Sequence, residues 1–548
     1  MKIALAQLNY HIANFEANTN KIIANIEKAK TAGADLVVFS ELSICGYPPQ
    51  DLLEQEDFIS ETEKYIKIIA GACTGIAAII GAPVINKSRQ GKKLYNAAVF
   101  INDGKKHIQR KTHLPTYDVF DEYRYFEHNT EFNIFEFKGN KIAITICEDL
   151  WDKQPLGNSF AKDKLYTVSP MEAYSKQNPD FIINIAASPF SYNQDSNRRN
   201  ILVDNAKDYS IPIIYVNQVG AQTELVFDGG SMVLDRQGKV VKSLKFFEED
   251  FQIIDVDKID KLPEIGQPAY ERIARINDAL VLGLRDYFAK MNFKTATLGL
   301  SGGIDSAVTL AIAAEALGTE NLHVLLLPSK YSSDHSINDA VDLAKNLGVK
   351  YEIINIEKIV SAFDNSLSTL FKGLAPGIAE ENIQARARGV ILMALSNKFG
   401  NILLNTSNKS EAAVGYSTLY GDMNGGLSVL GDVYKTDVFK LARYINRNQE
   451  IIPENTITKP PSAELRPDQK DSDSLPDYDT LDTILFNYIE LKKSAIEIAS
   501  LGFEMELVNK TISMVNRNEY KRFQSPPILR ISSKAFGFGR RMPLVAKY

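Results

Sequence analysis

The chain has 548 residues, 45% of them apolar and 24% charged, with 62 Lys and Arg against 68 Asp and Glu for a formal net charge of −6. That is ordinary for a globular protein of two domains or more, and the acidic balance argues against a nucleic-acid partner. The three cysteines, Cys45, Cys73 and Cys147, form no CxxC pair, which argues against a zinc ribbon or disulfide framework and fits a reducing cytoplasm.

In chain order, residues 1–7 read as a strand and not as a signal peptide, having neither a long apolar core nor a cleavage site. The stretch 68–85 carries no charge, but Gly71, Gly75, Gly81 and Pro83 make it a helix end followed by a buried strand, not a membrane span. Strands are expected at 3–8, 36–40, 77–83, 96–101, 142–146, 181–186 and 213–217, with helices between and a hairpin near 231–240. The early strands are nearly continuous apolar runs, as in sheets buried on both faces. Three chemically useful residues stand at the ends of such strands. Glu41 follows 36–40, Lys111 follows a hairpin, and Cys147 follows 142–146 and precedes Glu148 and Asp149. Residues at the C-terminal ends of parallel strands converge on one crevice. There a lysine can favour a thiolate and hold an oxyanion, and a carboxylate can take the thiol proton and later activate water. Taken singly, each of the three more often fills an ordinary role: a core cysteine, a solvated lysine, a helix-capping glutamate.

The charged stretch 258–268, with Pro263, Gly266 and Pro268, reads as a linker, which puts the domain division at 258/259. A helix at 269–291 follows, then strands at 296–300, 323–327, 350–354 and 401–405 with helices between. The segment 459–478, rich in Pro, Asp and Ser, reads as a lid or a disordered loop. The sharpest signal is Leu298-Gly299-Leu300-Ser301-Gly302-Gly303-Ile304-Asp305-Ser306: an apolar strand, a Ser-Gly-Gly turn and the start of a helix. Adjacent glycines let the backbone approach a ligand, the helix start offers unpaired N–H groups to an anion, and Ser301 and Ser306 add hydroxyls. Asp305 is out of place in a phosphate nest unless a divalent cation binds as well.

These words carry a resemblance. Ser301–Ser306 is similar to the pyrophosphate loop of the ATP pyrophosphatases, which transfer AMP to a substrate and release diphosphate. Glu41, Lys111 and Cys147 resemble the catalytic triad of the nitrilase (carbon–nitrogen hydrolase) superfamily, and the block 114–126 resembles the version fused to NAD synthetases, a glutaminase. In the second half, 381–388, 405–411, 415–422, 433–436 and 460–465 resemble NAD synthetase motifs. The whole chain thus resembles the glutamine-dependent NAD⁺ synthetases. The resemblance implies an α/β chain: a nitrilase-like αββα sandwich at the N-terminus and a Rossmann-like, parallel-sheet ATP-pyrophosphatase domain at the C-terminus. It implies deamido-NAD⁺, ATP and glutamine as substrates, Mg²⁺ as cofactor, no membrane or nucleic-acid partner, and a homo-oligomer.

Residue roles follow from the resemblance alone. Tyr117, Glu148, Trp151 and Ser188 would contact glutamine, and Glu122 is the candidate for the second glutamate that members of the superfamily commonly use. Ser301, Gly302, Gly303, Asp305, Ser306 and Thr406 would bind ATP. Arg386, Glu411, Lys435 and Lys534 would bind deamido-NAD⁺, Asp305 and Glu411 would hold the metal, and Ser462 and Glu464 belong to a later motif. Two other readings stay open: an amidotransferase of the GMP- or asparagine-synthetase type, and a nucleotide-binding regulator with silent catalytic sites.

Overall fold

The computed structural model describes residues 1–152, 165–192, 194–266, 270–467 and 469–547. The chain divides into two compact units, residues 1–269 and 270–548. The expected linker start at Lys258 therefore falls inside the first unit. There Val256–Lys261 is a short 3-10 helix whose Ile259 is buried in that unit's core. Pro268, in the expected linker, and Ala269, the expected helix start, lie outside the described residues; the helix runs Arg272–Met291.

The first unit is built on two six-stranded sheets. One runs, edge to edge, Asp250–Asp255, Lys2–Gln7, Leu36–Val38, Ala77–Ile85, Leu94–Asn102 and Lys105–Arg110. The other runs Val240–Ser243, Met232–Leu234, Ile213–Asn217, Phe181–Ala186, Asn140–Ile146 and Ile134–Phe137. In each sheet three neighbouring strands are parallel and antiparallel strands flank them. Because successive side chains alternate faces, Ile3, Leu5 and Val38 join Ile144, Ile183 and Ile214 in a core shared by both sheets. Ala4, Ala6 and Val37 face the other way, onto Ile22, Ile26, Phe58 and Ile66 of helices Phe15–Thr31 and Glu56–Ala72. Leu202 and Ala206 of helix Gln194–Tyr209 pack on the second sheet. This is the αββα layering that the apolar strand runs require.

The second unit has one parallel five-stranded sheet, ordered Lys350–Ile353, Leu322–Leu326, Ala296–Gly299, Ile402–Asn405 and Leu427–Ser428. The chain runs outward from the central strand in one direction and then returns to its other side at Ile402–Asn405. That leaves a crevice at the carboxyl ends of Ala296–Gly299 and Ile402–Asn405, where such sheets bind ligands. No helix among the described residues is long and apolar enough to cross a membrane.

Candidate active sites

In the first unit, Glu41 lies just past Leu36–Val38, where the chain crosses the neighbouring strand. A Cβ at Gly81 would lie 2.2 Å from the Leu42 backbone nitrogen and 2.6 Å from the Glu41 carbonyl carbon, so glycine is required there for Glu41 to reach its place. Lys111 follows Lys105–Arg110, its backbone N–H donating to the Asn96 carbonyl at 2.8 Å. Cys147 opens the 3-10 helix Cys147–Leu150 with φ of +45°, a left-handed conformation rare outside glycine. Asp149 ties these pieces together: its carboxylate accepts from the backbone N–H groups of Ile146, Thr112 and His113, each at 2.9 Å.

The Lys111 ammonium donates to Glu41 Oε1 at 2.6 Å and to Glu122 Oε1 at 2.8 Å. Asn96 donates to Glu41 Oε1 at 2.7 Å, the Ala187 N–H to Glu41 Oε2 at 3.0 Å, and the Tyr47 hydroxyl to Glu122 Oε1 at 2.9 Å. The structure thus brings Glu122, the candidate second glutamate, to the lysine. Burial pulls the Lys111 ammonium down, but the Glu122 and Glu41 carboxylates outweigh it and hold the group well above the usual lysine range. Burial pushes the Glu122 carboxyl up to about 7 against the pull of Lys111. Burial, reinforced by Glu41, pushes the Cys147 thiol well up, and Lys111 does not offset it. These surroundings favour the thiol form of Cys147, whereas the sequence suggested a lysine-favoured thiolate.

Of the expected glutamine contacts, Tyr117 and Glu148 meet: the hydroxyl donates to Glu148 Oε1 at 2.7 Å. Tyr166, which the sequence reading did not single out, donates to the same oxygen at 3.0 Å. Ser188 exchanges backbone hydrogen bonds with the Asn217 amide, at 2.9 and 3.2 Å. Trp151 is buried in the same apolar cluster as Ile144 and Leu202.

In the second unit, the turn after Ala296–Gly299 leads into helix Ile304–Leu317. Gly302 has φ of +80°, and a Cβ there would lie 2.1 Å from the Ser336 carbonyl oxygen. The two serine hydroxyls lie 3.1 Å apart, and Ser301 Oγ accepts from the Gly303 N–H at 3.2 Å. A cavity of about 320 Å³ opens over the turn. Ser301, Gly303, Asp305, Ser306, Thr406, Glu411 and Lys435 line it, as do Ser462 and Glu464, whereas Gly302 turns toward Ser336.

The Lys435 ammonium donates to Asp305 Oδ2 at 2.5 Å and to Glu411 Oε1 at 3.1 Å. Asn408 fixes both acids: its amide donates to Asp305 Oδ1 at 2.9 Å, and its oxygen caps helix Lys409–Val414 by accepting the Glu411 N–H at 2.9 Å. Burial pushes the Glu411 carboxyl up to about 8, against the pull of Lys435. Two carboxylates aimed at one point suit Mg²⁺, which takes one or two protein carboxylates and completes its shell with water and substrate phosphates.

Two of the residues expected to bind deamido-NAD⁺, Arg386 and Lys534, lie away from this cavity. Arg386 is exposed, and its Nε donates to the Leu419 carbonyl at 3.2 Å, while Arg388 lines the wall. Residues two apart on a helix face nearly opposite ways, and it is the 388 face that turns inward. Lys534 is not a lining residue; its backbone carbonyl accepts from Lys409 at 3.0 Å. In the segment expected as a lid or disordered loop, Lys459 to Leu465 wall the cavity. Glu464 accepts from the Ser333 and Ser336 hydroxyls, both at 2.8 Å, and Lys459 reaches Asp339 at 3.0 Å.

Known proteins share this two-part construction. Residues 2–262 match the carbon–nitrogen hydrolase family and residues 276–525 the NAD synthase family. The chain is 46% identical to the glutamine-dependent NAD(+) synthetase of Synechocystis sp., over 100% of this chain and 99% of that one. It is 42% identical to the enzyme of that name from Acinetobacter baylyi, over 99% and 98%. The solved glutamine-dependent NAD⁺ synthetase of Acinetobacter baumannii, in complex with ADP, superposes with a TM-score of 0.77 at 40% identity, covering 99% of this chain and 98% of that one. The chain is accordingly a ligase joined to a nitrilase-type glutaminase unit. It belongs to the glutamine-dependent NAD(+) synthetase family.

Proposed function

We propose that this chain converts deamido-NAD⁺, ATP, glutamine and water into NAD⁺, AMP, diphosphate and glutamate. The observation that carries this reading is one chain holding both a Cys–Glu–Lys constellation and a Ser-Gly-Gly-x-Asp-Ser anion turn facing a lysine-bridged acid pair.

In the first unit, Cys147 Sγ attacks the carboxamide carbon of glutamine. Because its surroundings favour the thiol, Glu41 takes its proton as the S–C bond forms and returns it to the departing ammonia. Lys111, held between Glu41 and Glu122, offers its charge to the developing oxyanion. Water activated by Glu41 then releases glutamate from the thioester. Glu148, oriented by Tyr117 and Tyr166, receives the substrate's α-ammonium.

In the second unit, the carboxylate of deamido-NAD⁺ is a poor acyl donor until AMP is attached. The backbone and hydroxyls of 301–306 grip the diphosphate that leaves, Thr406 and Arg388 place the nucleotide, and ammonia displaces AMP. Mg²⁺, held by Asp305 and Glu411, would neutralise charge on the phosphates. The protein acts in the cytoplasm as a homo-oligomer. Helix Ile378–Phe399, which exposes Ile378, Val390, Met393 and Phe399 beside Arg386, supplies an apolar face for a second copy.

The test is a product assay with deamido-NAD⁺, ATP and amide-¹⁵N glutamine. It should yield ¹⁵N-labelled NAD⁺, AMP and glutamate in equal amounts. ADP in place of AMP, or no labelled NAD⁺, would reject the reading.

A further inference from the structure

We propose that Lys435 is a resident stand-in for the divalent cation. Its ammonium occupies the point between Asp305 and Glu411, and a cation gains those two carboxylates only when the phosphates of a nucleotide draw the ammonium away. The inference rests on the reading of Asp305 and Glu411 as cation ligands, and goes further by assigning what holds that site before the nucleotide arrives.

The geometry supports an exchange. Asp305 gives Oδ2 to the ammonium and Oδ1 to Asn408, and Glu411 gives Oε1 to the ammonium, so a cation bridging the two acids meets an ammonium already bound to both. The lysine's backbone is anchored: its N–H donates to Ser410 Oγ at 2.9 Å, and the Thr436 N–H donates to Asp482 at 2.9 Å. From that anchor its buried four-carbon stem carries the ammonium past the Tyr478 ring, 5.2 Å from the ring centre, to the edge of a cavity bordered by the 301–306 turn. A free divalent ion would have to enter against a positive charge at contact distance in a poorly screened pocket. A nucleotide brings its own anionic oxygens, which offer the ammonium a charge-assisted partner of equal strength. Lys409 makes the contrast: it bonds Glu490, Asp432, Ser532 and the Lys534 carbonyl, has no lining position in the cavity, and is purely a tie.

The experiment is Mn²⁺ binding to the nucleotide-free full-length protein, followed by loss of the free-ion paramagnetic resonance signal. Lys435→Met should bind one Mn²⁺ about tenfold or more tighter than the unaltered protein, since removing one nearby charge is worth at least that. Lys435→Gln should do the same, and adding Asp305→Asn should erase the gain. Mn²⁺ should also raise the melting temperature of the Lys435 variants more than that of the unaltered protein, which shows at the same time that they are folded. Equal affinity in the unaltered protein, or no gain in either folded variant, overturns the proposal. The underlying reading is tested separately with Asp305→Asn alone, Mn²⁺ and a non-hydrolysable ATP analogue. An unchanged Mn²⁺ spectrum in that complex removes Asp305 as a ligand; a changed spectrum without a gain in the Lys435 variants removes only the stand-in.

Discussion

Each unit sets a buried lysine between two carboxylates, and the two arrangements differ in what else holds them. Lys111, Glu41 and Glu122 are closed off, with side-chain exposures of 0, 0 and 6%. Asn96, Tyr47 and the Ala187 N–H add further donors to the acids. Around Lys435 the acids are 18 and 17% exposed, Asn408 is the additional donor to Asp305, and the cavity lies alongside. One triad has every position fixed, as a site needs when its lysine must stay to meet an oxyanion. The other sets its lysine at the edge of a cavity, where charged phosphates entering the cavity can reach it. Ion-triad chemistry is thus set less by the three residues than by the number of neighbouring donors and by access.

The largest expected effect breaks the second site alone. Asp305→Asn should lower NAD⁺ formation by several orders of magnitude with either glutamine or ammonium, because removing a ligand of a catalytic cation forfeits several kcal/mol of transition-state stabilisation. Glutamine hydrolysis by the same variant should persist; near-normal synthesis would show Asp305 to be a bystander. The next effect sets the two lysines against each other. Lys111→Met leaves two fully buried carboxylates without their cation and should cost about 3–5 kcal/mol in urea unfolding. Lys435→Met should cost clearly less because its acids reach solvent, and equal losses would erase the distinction between a closed-off lysine and one at a cavity's edge. A smaller change concerns how Glu41 is placed. Gly81→Ala drives a methyl into backbone and should cost about 1–3 kcal/mol, abolishing glutamine use while sparing ammonium-driven synthesis.

The smallest effect is one of pH. The Glu122 carboxyl is raised to about 7 in the folded chain, so the folded state holds a proton that the unfolded state has lost above about 4.5. Its contribution to stability is therefore present at low pH and is lost as pH rises through 7. Glu122→Gln, which cannot titrate, should gain in melting temperature relative to the unaltered protein between pH 5 and pH 8. A constant difference across that range would contradict the raised carboxyl.

Strand positions were legible because buried parallel strands write themselves as apolar runs: 181–186 and 213–217 stand where the pattern put them. The residues carried by strand ends, Glu41, Lys111 and Cys147, followed from that pattern and from the resemblance. What stayed hidden depends on approach between distant segments. Gly81 matters because of backbone forty residues away, Asn96 and Tyr47 because they reach the same two acids, and Asp149 because it gathers three backbone N–H groups. Asn408 carried a readable signal, a helix-capping residue three before Glu411, although its bond to Asp305 did not. Which of two nearby arginines lines the cavity was hidden as well, because a motif fixes a helix but not the face each residue takes: Arg388 lines it and Arg386 is exposed.

The separation of the two sites is tested most directly by Cys147→Ala. Its NAD⁺ formation from deamido-NAD⁺ and ATP should fall to background with glutamine as nitrogen source and stay near the unaltered rate with ammonium. Loss of both activities in a folded variant, or glutamine-driven synthesis that survives, would contradict it.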